Sequence, residues 1–100
     1  APVQTPAPEE PPAPLSAEER IQRGWATIDE SPLRATQHFR AALDQNPTHP
    51  DANYGYGYAL LKQGRTTEAR GYLCRASRTV DATAQREIQG LLRQKNITCP

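Results

Sequence analysis

The spacing of apolar residues in the middle of the chain, between positions 53 and 76, predicts two helices joined by a tight turn. The large residues of the first half recur at the intervals of one helix face, at Tyr54, Tyr58 and Leu61. Gly64 then interrupts the pattern. A second helical face follows it, made of Ala69, Leu73 and Ala76. This hairpin is the clearest pattern in the sequence, and fainter versions of it lie on either side.

Capping and breaking residues divide the remainder into further helices. Ser16 and Glu19 have the spacing of a capping box, Ser31 precedes Pro32 as an N-cap, and Asp81 can cap a last helix. Thr66 is expected to cap the fourth helix. The predicted helices lie at about 17–29, 32–45, 50–63, 67–80 and 82–95.

The fold class follows from this pattern. No stretch alternates apolar and polar residues as a half-buried strand does. The second helix is expected to turn its apolar residues inward, namely Leu33, Ala35, Phe39, Ala42 and Leu43. Short connections between helices favour antiparallel hairpins. The sequence therefore predicts an all-α domain over residues 16–100, in which the hairpins are stacked in sequence.

Two copies of one unit are found when the chain is compared with itself. At an offset of 34, Ala35, Phe39 and Ala42 match Ala69, Leu73 and Ala76. At an offset of 33, glycine recurs at Gly24, Gly57 and Gly90, followed directly by Trp25, Tyr58 and Leu91. Because small residues let helices approach closely, the alanines and glycines of this set, with Phe39 and Leu73, are predicted to form the packing between repeats.

A period of 33 to 34 residues in helix–turn–helix units resembles the tetratricopeptide repeat. Residues 50–81 follow the family's pattern, in which large and small residues alternate on either side of the turn. Residues 16–47 depart from it at Arg23, where the family usually has a large apolar residue. The resemblance implies a short solenoid with repeats at about 16–47 and 50–81. A capping helix at about 82–95 and a tail at 96–100 would complete it.

The resemblance also implies a concave groove that holds a peptide or helix of a partner protein. The groove-facing candidates are Ile21, Trp25, Ile28, Tyr54, Tyr58, Leu61, Lys62, Glu87, Leu91 and Gln94. Trp and Tyr dominate binding hot spots, although packing between repeats is the alternative role for these aromatic residues. Trp25, Tyr54 and Tyr58 stand where the family's carboxylate clamp has Lys and Asn, so an aromatic, partly hydrophobic groove is expected.

Composition sets the first fifteen residues apart. They hold six of the ten prolines and little apolar bulk, which predicts a disordered Pro/Ala-rich linker. Two P-x-x-P motifs, Pro8 to Pro11 and Pro11 to Pro14, allow docking to an aromatic-lined groove as the alternative. A mature secreted protein and a domain cut from a longer chain both fit this beginning.

Charge is unevenly distributed although the formal net charge is only +1. From Lys62 onward there are eight Lys or Arg residues and three acids, a net charge of +5. A basic half of this kind suits an anionic polymer such as nucleic acid or wall polymer. A solvated helix face is the simpler interpretation, so nucleic acid is not the favoured partner.

Cys74 and Cys99 are the two cysteines of the chain. The fourth helix and the capping helix would be neighbours in the stack, so the tail can return to Cys74 and form a disulfide. Such a bond favours an oxidising compartment such as the bacterial periplasm or another envelope-exposed location. Two free thiols would instead fit the cytoplasm.

Sequence motifs for catalysis or cofactor binding are not found. His38 and His49 lack metal-ligand spacing with the cysteines, no serine has a nucleophile-elbow setting, and no phosphate-binding loop occurs. No apolar run is long enough to span a membrane. We therefore expect neither an enzyme nor a cofactor, metal or small-molecule substrate.

The favoured hypothesis is a protein–protein interaction scaffold in a bacterial envelope assembly, such as secretion, pilus, motility or wall machinery. The alternatives are a homo-oligomerisation module and a binder of anionic polymers through the basic half.

Overall fold

The computed structural model describes residues 14–100, and these residues form five helices with no strand among them. The helices are α1 (Ala17–Thr27), α2 (Pro32–Gln45), α3 (Pro50–Lys62), α4 (Thr66–Thr79) and α5 (Ala82–Gln94). The all-α prediction is confirmed. The predicted linker lies, up to residue 13, outside the described residues. Leu15 already contacts the helical body, since its carbonyl accepts a hydrogen bond from Gln45 Nε2 at 2.9 Å.

Helix starts follow the local sequence at three of the predicted caps. Ser16 Oγ accepts from the Glu19 amide at 3.2 Å, and Glu19 Oε1 accepts from the Ser16 amide at the same distance, which completes the capping box. Ser31 caps α2 and Asp81 caps α5. The prediction for Thr66 is wrong. It is the first residue of α4, and the preceding Arg65 makes a two-point bond to the Glu68 carboxylate instead of a side-chain cap.

Two helices, α3 and α5, end in turns that have the same hydrogen-bonding pattern. After α3, Gly64 adopts a φ of +74°, the Gly64 amide donates to Leu61, and the Arg65 amide donates to Leu60. After α5, Asn96 takes a φ of +56°, and the Ile97 amide donates to Leu92. Both turns have the bonding of a Schellman motif, in which glycine or asparagine accepts the left-handed conformation most readily.

Each helix packs on the next one along the chain, and α1 also packs on α3. One large side chain each from α2, α3, α4 and α5 is fully buried, namely Phe39, Leu60, Leu73 and Ile88. Leu33 was expected to face the core, but its side chain is exposed, with 58 % of the residue surface accessible. It lies about 200° around the helix from Ala35, at 100° per residue, so the two side chains cannot share a face.

Close contact between helices depends on glycines that face large side chains. A Cβ atom added to Gly24 would lie 2.7–2.8 Å from three atoms of the Phe39 ring. A Cβ on Gly55 would overlap the same ring still more closely. A Cβ atom added to Gly57 would lie 2.7 Å from Cγ of Leu73. The ring of Phe39 is therefore held between the backbones of α1 and α3.

Gly90 does not share the packing role expected from the repeat. A Cβ added there would meet nothing within 4 Å, because α5 has no following helix on that side within the described chain. The six alanine, phenylalanine and leucine positions matched at an offset of 34 are all fully buried.

The connection between α2 and α3 is fixed by a buried amide. Asn53 is 2 % exposed, and its Nδ2 donates to the carbonyls of Pro47 at 3.1 Å and His49 at 2.9 Å. Buried polar groups of this kind are costly unless they are bonded. The two bonds therefore set the direction in which the chain enters α3.

The tail is fastened to α4 by a disulfide between Cys74 and Cys99. Cys74 is buried in α4, while Ile97 and Cys99 pack half-buried against the core. The Arg78 side chain also donates to the Pro100 carbonyl oxygen at 3.2 Å. The tail thus covers the end of the stack rather than extending from it. No helix within residues 14–100 has the length and apolar character needed to cross a bilayer.

A matched pair of glycine substitutions tests the packing. Gly55→Ala is expected to destabilise the fold by about 1–3 kcal/mol, because the Phe39 ring must shift in a closed core. Gly90→Ala is expected to stabilise it by about 0.5–1 kcal/mol, because alanine is the better helix former where space is open. Urea unfolding followed by circular dichroism measures both, and equal effects of the two changes would contradict this packing.

Removal of the disulfide tests the role of the tail. Changing Cys74→Ala together with Cys99→Ala is expected to lower the free energy of unfolding by about 3 kcal/mol, the loop-closure value for a loop of this size. The measurement is chemical denaturation of the variant beside the oxidised and reduced wild type. If reduction leaves the midpoint unchanged, the bond contributes nothing to stability.

Candidate interaction surface

The first helix of each repeat and the last helix, α1, α3 and α5, contribute side chains to one surface. We call it the groove surface, and its members are Trp25, Tyr54, Tyr58, Leu61, Lys62, Glu87, Leu91 and Gln94. None of the hydrophobic members is fully buried. Sequence alone predicted all eight, and the structure shows how they lie relative to one another.

Trp25 is the centre of an aromatic cluster. Its ring centroid lies 5.2 Å from that of Phe39, 5.4 Å from that of Tyr54 and 5.8 Å from that of Tyr58. Tyr54 and Tyr58 also meet each other edge to face at 6.1 Å. Tilted and edge-to-face rings at these distances attract one another beyond their burial. Trp25 therefore joins the core, through Phe39, to the two half-buried tyrosines on the surface.

Lys62 extends the aromatic cluster toward the end of α3. Its Nζ lies 5.5 Å from the centroid of the Tyr58 ring and 3.6 Å from Asp29 Oδ1. The first contact is of cation–π type. The ion pair with Asp29, which is mostly exposed, is weak in water. Lys62 thus places a positive charge beside the aromatic cluster where it remains open to a ligand.

A cleft of about 200 Å³ separates α3 from α5. Its walls are Tyr58, Leu61 and Lys62 on one side and Leu91, Gln94 and Lys95 on the other. Five of these six residues were predicted as groove residues, and Lys95 is the addition. Tyr58, Leu61 and Leu91 supply the apolar surface of the cleft, while Lys62 and Lys95 both lie at the carboxyl ends of their helices.

Tyr54 and Glu87 mark the opposite end of the same surface. Burial raises the pKa of Tyr54 above its ordinary value, and the nearby negative charge of Glu87 raises it further, with a smaller effect from Tyr58. Glu87, on the second turn of α5, thus lies within electrostatic reach of Tyr54, on the second turn of α3. The groove surface therefore runs from an acidic end at Glu87 to a basic end at Lys62 and Lys95.

Members of the groove surface, with the neighbouring Asp29 and Lys95, are arranged in rungs, meaning sets of residues 33 positions apart. Trp25, Tyr58 and Leu91 form one rung, and Asp29, Lys62 and Lys95 form another. The ion pair between Asp29 and Lys62 follows this register, and Trp25 lies between Tyr54 and Tyr58, with ring centroids 5.4 and 5.8 Å away. Residues 33 positions apart in the first two repeats therefore lie near each other on this surface.

Two residues expected in the groove lie beneath it. Ile21 is 6 % exposed and Ile28 is 5 % exposed, and both belong to the core. They occupy the rungs of Tyr54 and Leu61, but α1 lies so close to α2 and α3 that their side chains are covered. The set of residues open to a ligand is correspondingly smaller than the sequence predicted.

Histidine and acidic side chains are dispersed over the described residues. No group of three His, Cys, Asp or Glu side chains within residues 14–100 could hold a metal ion. His49 Nε2 lies 3.4 Å from Glu18 Oε1, on the connection between α2 and α3. Burial and the charges of Arg23, Arg34 and Arg20 lower the pKa of His38, which lies on α2. His38 lies within α2, and His49 directly precedes α3.

Comparison with protein families supplies the classification. The family model for tetratricopeptide repeats matches residues 26–94, which include α2 to α5 and the end of α1. The chain belongs to the tetratricopeptide repeat family. Proteins of this family generally act in protein–protein interaction. Neither the curated proteins nor the solved structures gave a significant match.

Titration of Tyr54 tests the closeness of α3 and α5. Glu87→Gln is expected to lower the pKa of Tyr54, because it removes a negative charge that disfavours the tyrosinate; the value stays above the ordinary one because burial remains. The ring resonances of Tyr54, followed by NMR against pH, report the change. Glu30→Gln serves as the control on an exposed acid outside the groove surface. An unchanged pKa in Glu87→Gln would contradict the arrangement.

Proposed function

We propose that the chain is a protein–protein interaction scaffold that binds a peptide or helical segment of a partner across the groove surface. The observation that carries the proposal is the cleft between α3 and α5, where Tyr58 faces Leu91 and two lysines stand at one end. Family membership supports protein binding in general, and the aromatic cluster at Trp25 supports this surface in particular.

The chemistry of the groove surface defines the partner segment. Tyr58, Leu61 and Leu91 offer an apolar strip of half-buried side chains. Lys62 and Lys95 attract a carboxylate at one end, while Glu87 disfavours one at the other. The segment that fits carries aromatic or aliphatic side chains, with an acidic residue at the end that lies over the two lysines.

The cellular setting is part of the same proposal. A disulfide that fastens the tail to α4 is suited to an oxidising compartment. We therefore place the scaffold in the bacterial periplasm or another envelope-exposed location, within an assembly such as secretion, pilus, motility or wall machinery.

Peptide selection with groove variants tests the proposed function. A library of random linear peptides displayed on phage is selected against the oxidised protein, and the affinity of the enriched peptides is then measured. Tyr58→Ala is expected to weaken binding by about thirtyfold or more, as for an aromatic hot spot. Lys62→Glu should remove the preference for an acidic residue. Circular dichroism of each variant confirms that the helices are retained.

Arg70→Ala provides the matched control, since this exposed residue of α4 does not line the cleft between α3 and α5. Binding that survives Tyr58→Ala but is lost in Arg70→Ala would refute the groove surface and favour the basic half. Sedimentation velocity tests the remaining alternative: self-association that Tyr58→Ala abolishes would make the surface a homo-oligomer contact.

A further inference from the structure

A second cleft lies on the other side of the stack, between α2 and α4. Its volume is about 550 Å³, and it contains none of the groove-surface residues. Tyr56 and Tyr72 line it together with Leu43 and Pro47, and Arg40 and Arg75 flank it. Asp44 also contributes a carboxylate. The proposed groove function makes no use of this cleft.

The aromatic part of the cleft is rigidly built. The rings of Tyr56 and Tyr72 meet edge to face, with centroids 4.5 Å apart. Tyr56 is 7 % exposed, so it forms the floor, while the half-buried Tyr72 forms a wall. The guanidinium carbon of Arg75 lies 4.7 Å from the centroid of the Tyr72 ring. Aromatic-lined grooves of this kind recognise proline-rich segments, whose extended helix costs little entropy to bind.

The charged part of the cleft favours an acidic ligand. Neither Arg40 nor Arg75 forms an ion pair with an acid in residues 14–100, and both residues are exposed. With Asp44 included, the charged side chains that line the cleft sum to +1. Arg65 and Arg40 line the adjoining hollow beside Tyr56, although Arg65 is paired with Glu68. A proline-rich ligand that carries carboxylates fits this combination of charge and aromatic surface.

The chain itself contains a segment of this composition. Residues 1–13 lie outside the described part, and they hold five prolines and the pair Glu9 and Glu10. The segment leads along the chain to Leu15, whose carbonyl accepts a hydrogen bond from Gln45 Nε2. Gln45 comes directly after the cleft residues Leu43 and Asp44. At roughly 3.1 Å per residue, the five residues back to Glu10 span about 15 Å. Gln45 and Arg40 are about 7.5 Å apart along α2, at 1.5 Å per residue, so Glu10 can reach Arg40.

We propose that the cleft between α2 and α4 is a docking site for the chain's own proline-rich segment, residues 1–13. The prolines pack on Tyr72 over the floor of Tyr56, and Glu9 and Glu10 face Arg40 and Arg75. The segment therefore occupies a surface separate from the groove surface. A partner with a proline-rich acidic segment would compete with it for the cleft.

NMR on the full oxidised chain with labelled proline tests the docking. In the wild type, proline ring protons are expected to show nuclear Overhauser contacts with the Tyr72 ring, unchanged on dilution. Reversing the two acids, Glu9→Lys with Glu10→Lys, is expected to abolish these contacts and to shift the amide resonances around Arg75. Adding Arg40→Glu and Arg75→Glu to that variant should restore the contacts, because the charges are then complementary again.

A matched control uses two exposed arginines outside the cleft. Arg70→Glu with Arg86→Glu is expected to leave the proline contacts intact. Absence of contacts in the wild type, or contacts that survive the reversal of Glu9 and Glu10, would overturn the proposal. Contacts that disappear on dilution would also overturn it, since the segment would then come from a second copy. The outcome is independent of the groove surface, because none of these substitutions touches it.

Discussion

The seating of the Phe39 ring between the backbones of α1 and α3 is the contact on which the rest of the structure depends. Gly24 and Gly55 both face that ring with no room for a side chain. The same ring meets Trp25 at 5.2 Å, and Trp25 in turn holds Tyr54 and Tyr58 in place. The geometry of the groove surface is therefore fixed by how closely two helices approach in the core, and surface and core are not independent.

The far end of the stack is held by different means. Within residues 14–100, α5 packs mainly on α4, and Gly90 faces open space. The left-handed turn at Asn96 directs Ile97 back to the body, and the disulfide at Cys74 then secures the tail. A small core with few residues to bury benefits most from such a covalent link. Dense packing thus defines the first repeat, and a cross-link defines the last helix.

Features that depend on neighbouring residues were predictable from the sequence, and those that depend on tertiary distance were not. The capping box at Ser16, the turn at Gly64 and the 33-residue register are local or periodic, and so is most of the groove surface. By contrast, Gly55 and Gly57 are both glycines of one helix, and only the structure shows that Gly55 packs on Phe39. The burial of Ile21 and the exposure of Leu33 similarly depend on how closely α1 approaches its neighbours and on the rotation of α2.

The register of 33 residues has a consequence for how specificity can change over evolution. Each rung takes one side chain from each of three helices, as Trp25, Tyr58 and Leu91 do, and these side chains are far apart in the gene. A single substitution therefore changes one of the three side chains of a rung, and it affects a neighbouring rung where side chains touch, as the rings of Trp25 and Tyr54 do with centroids 5.4 Å apart. In the proposed binding function, such a substitution would change one contact with the partner segment, while the glycines that set the spacing stay unchanged.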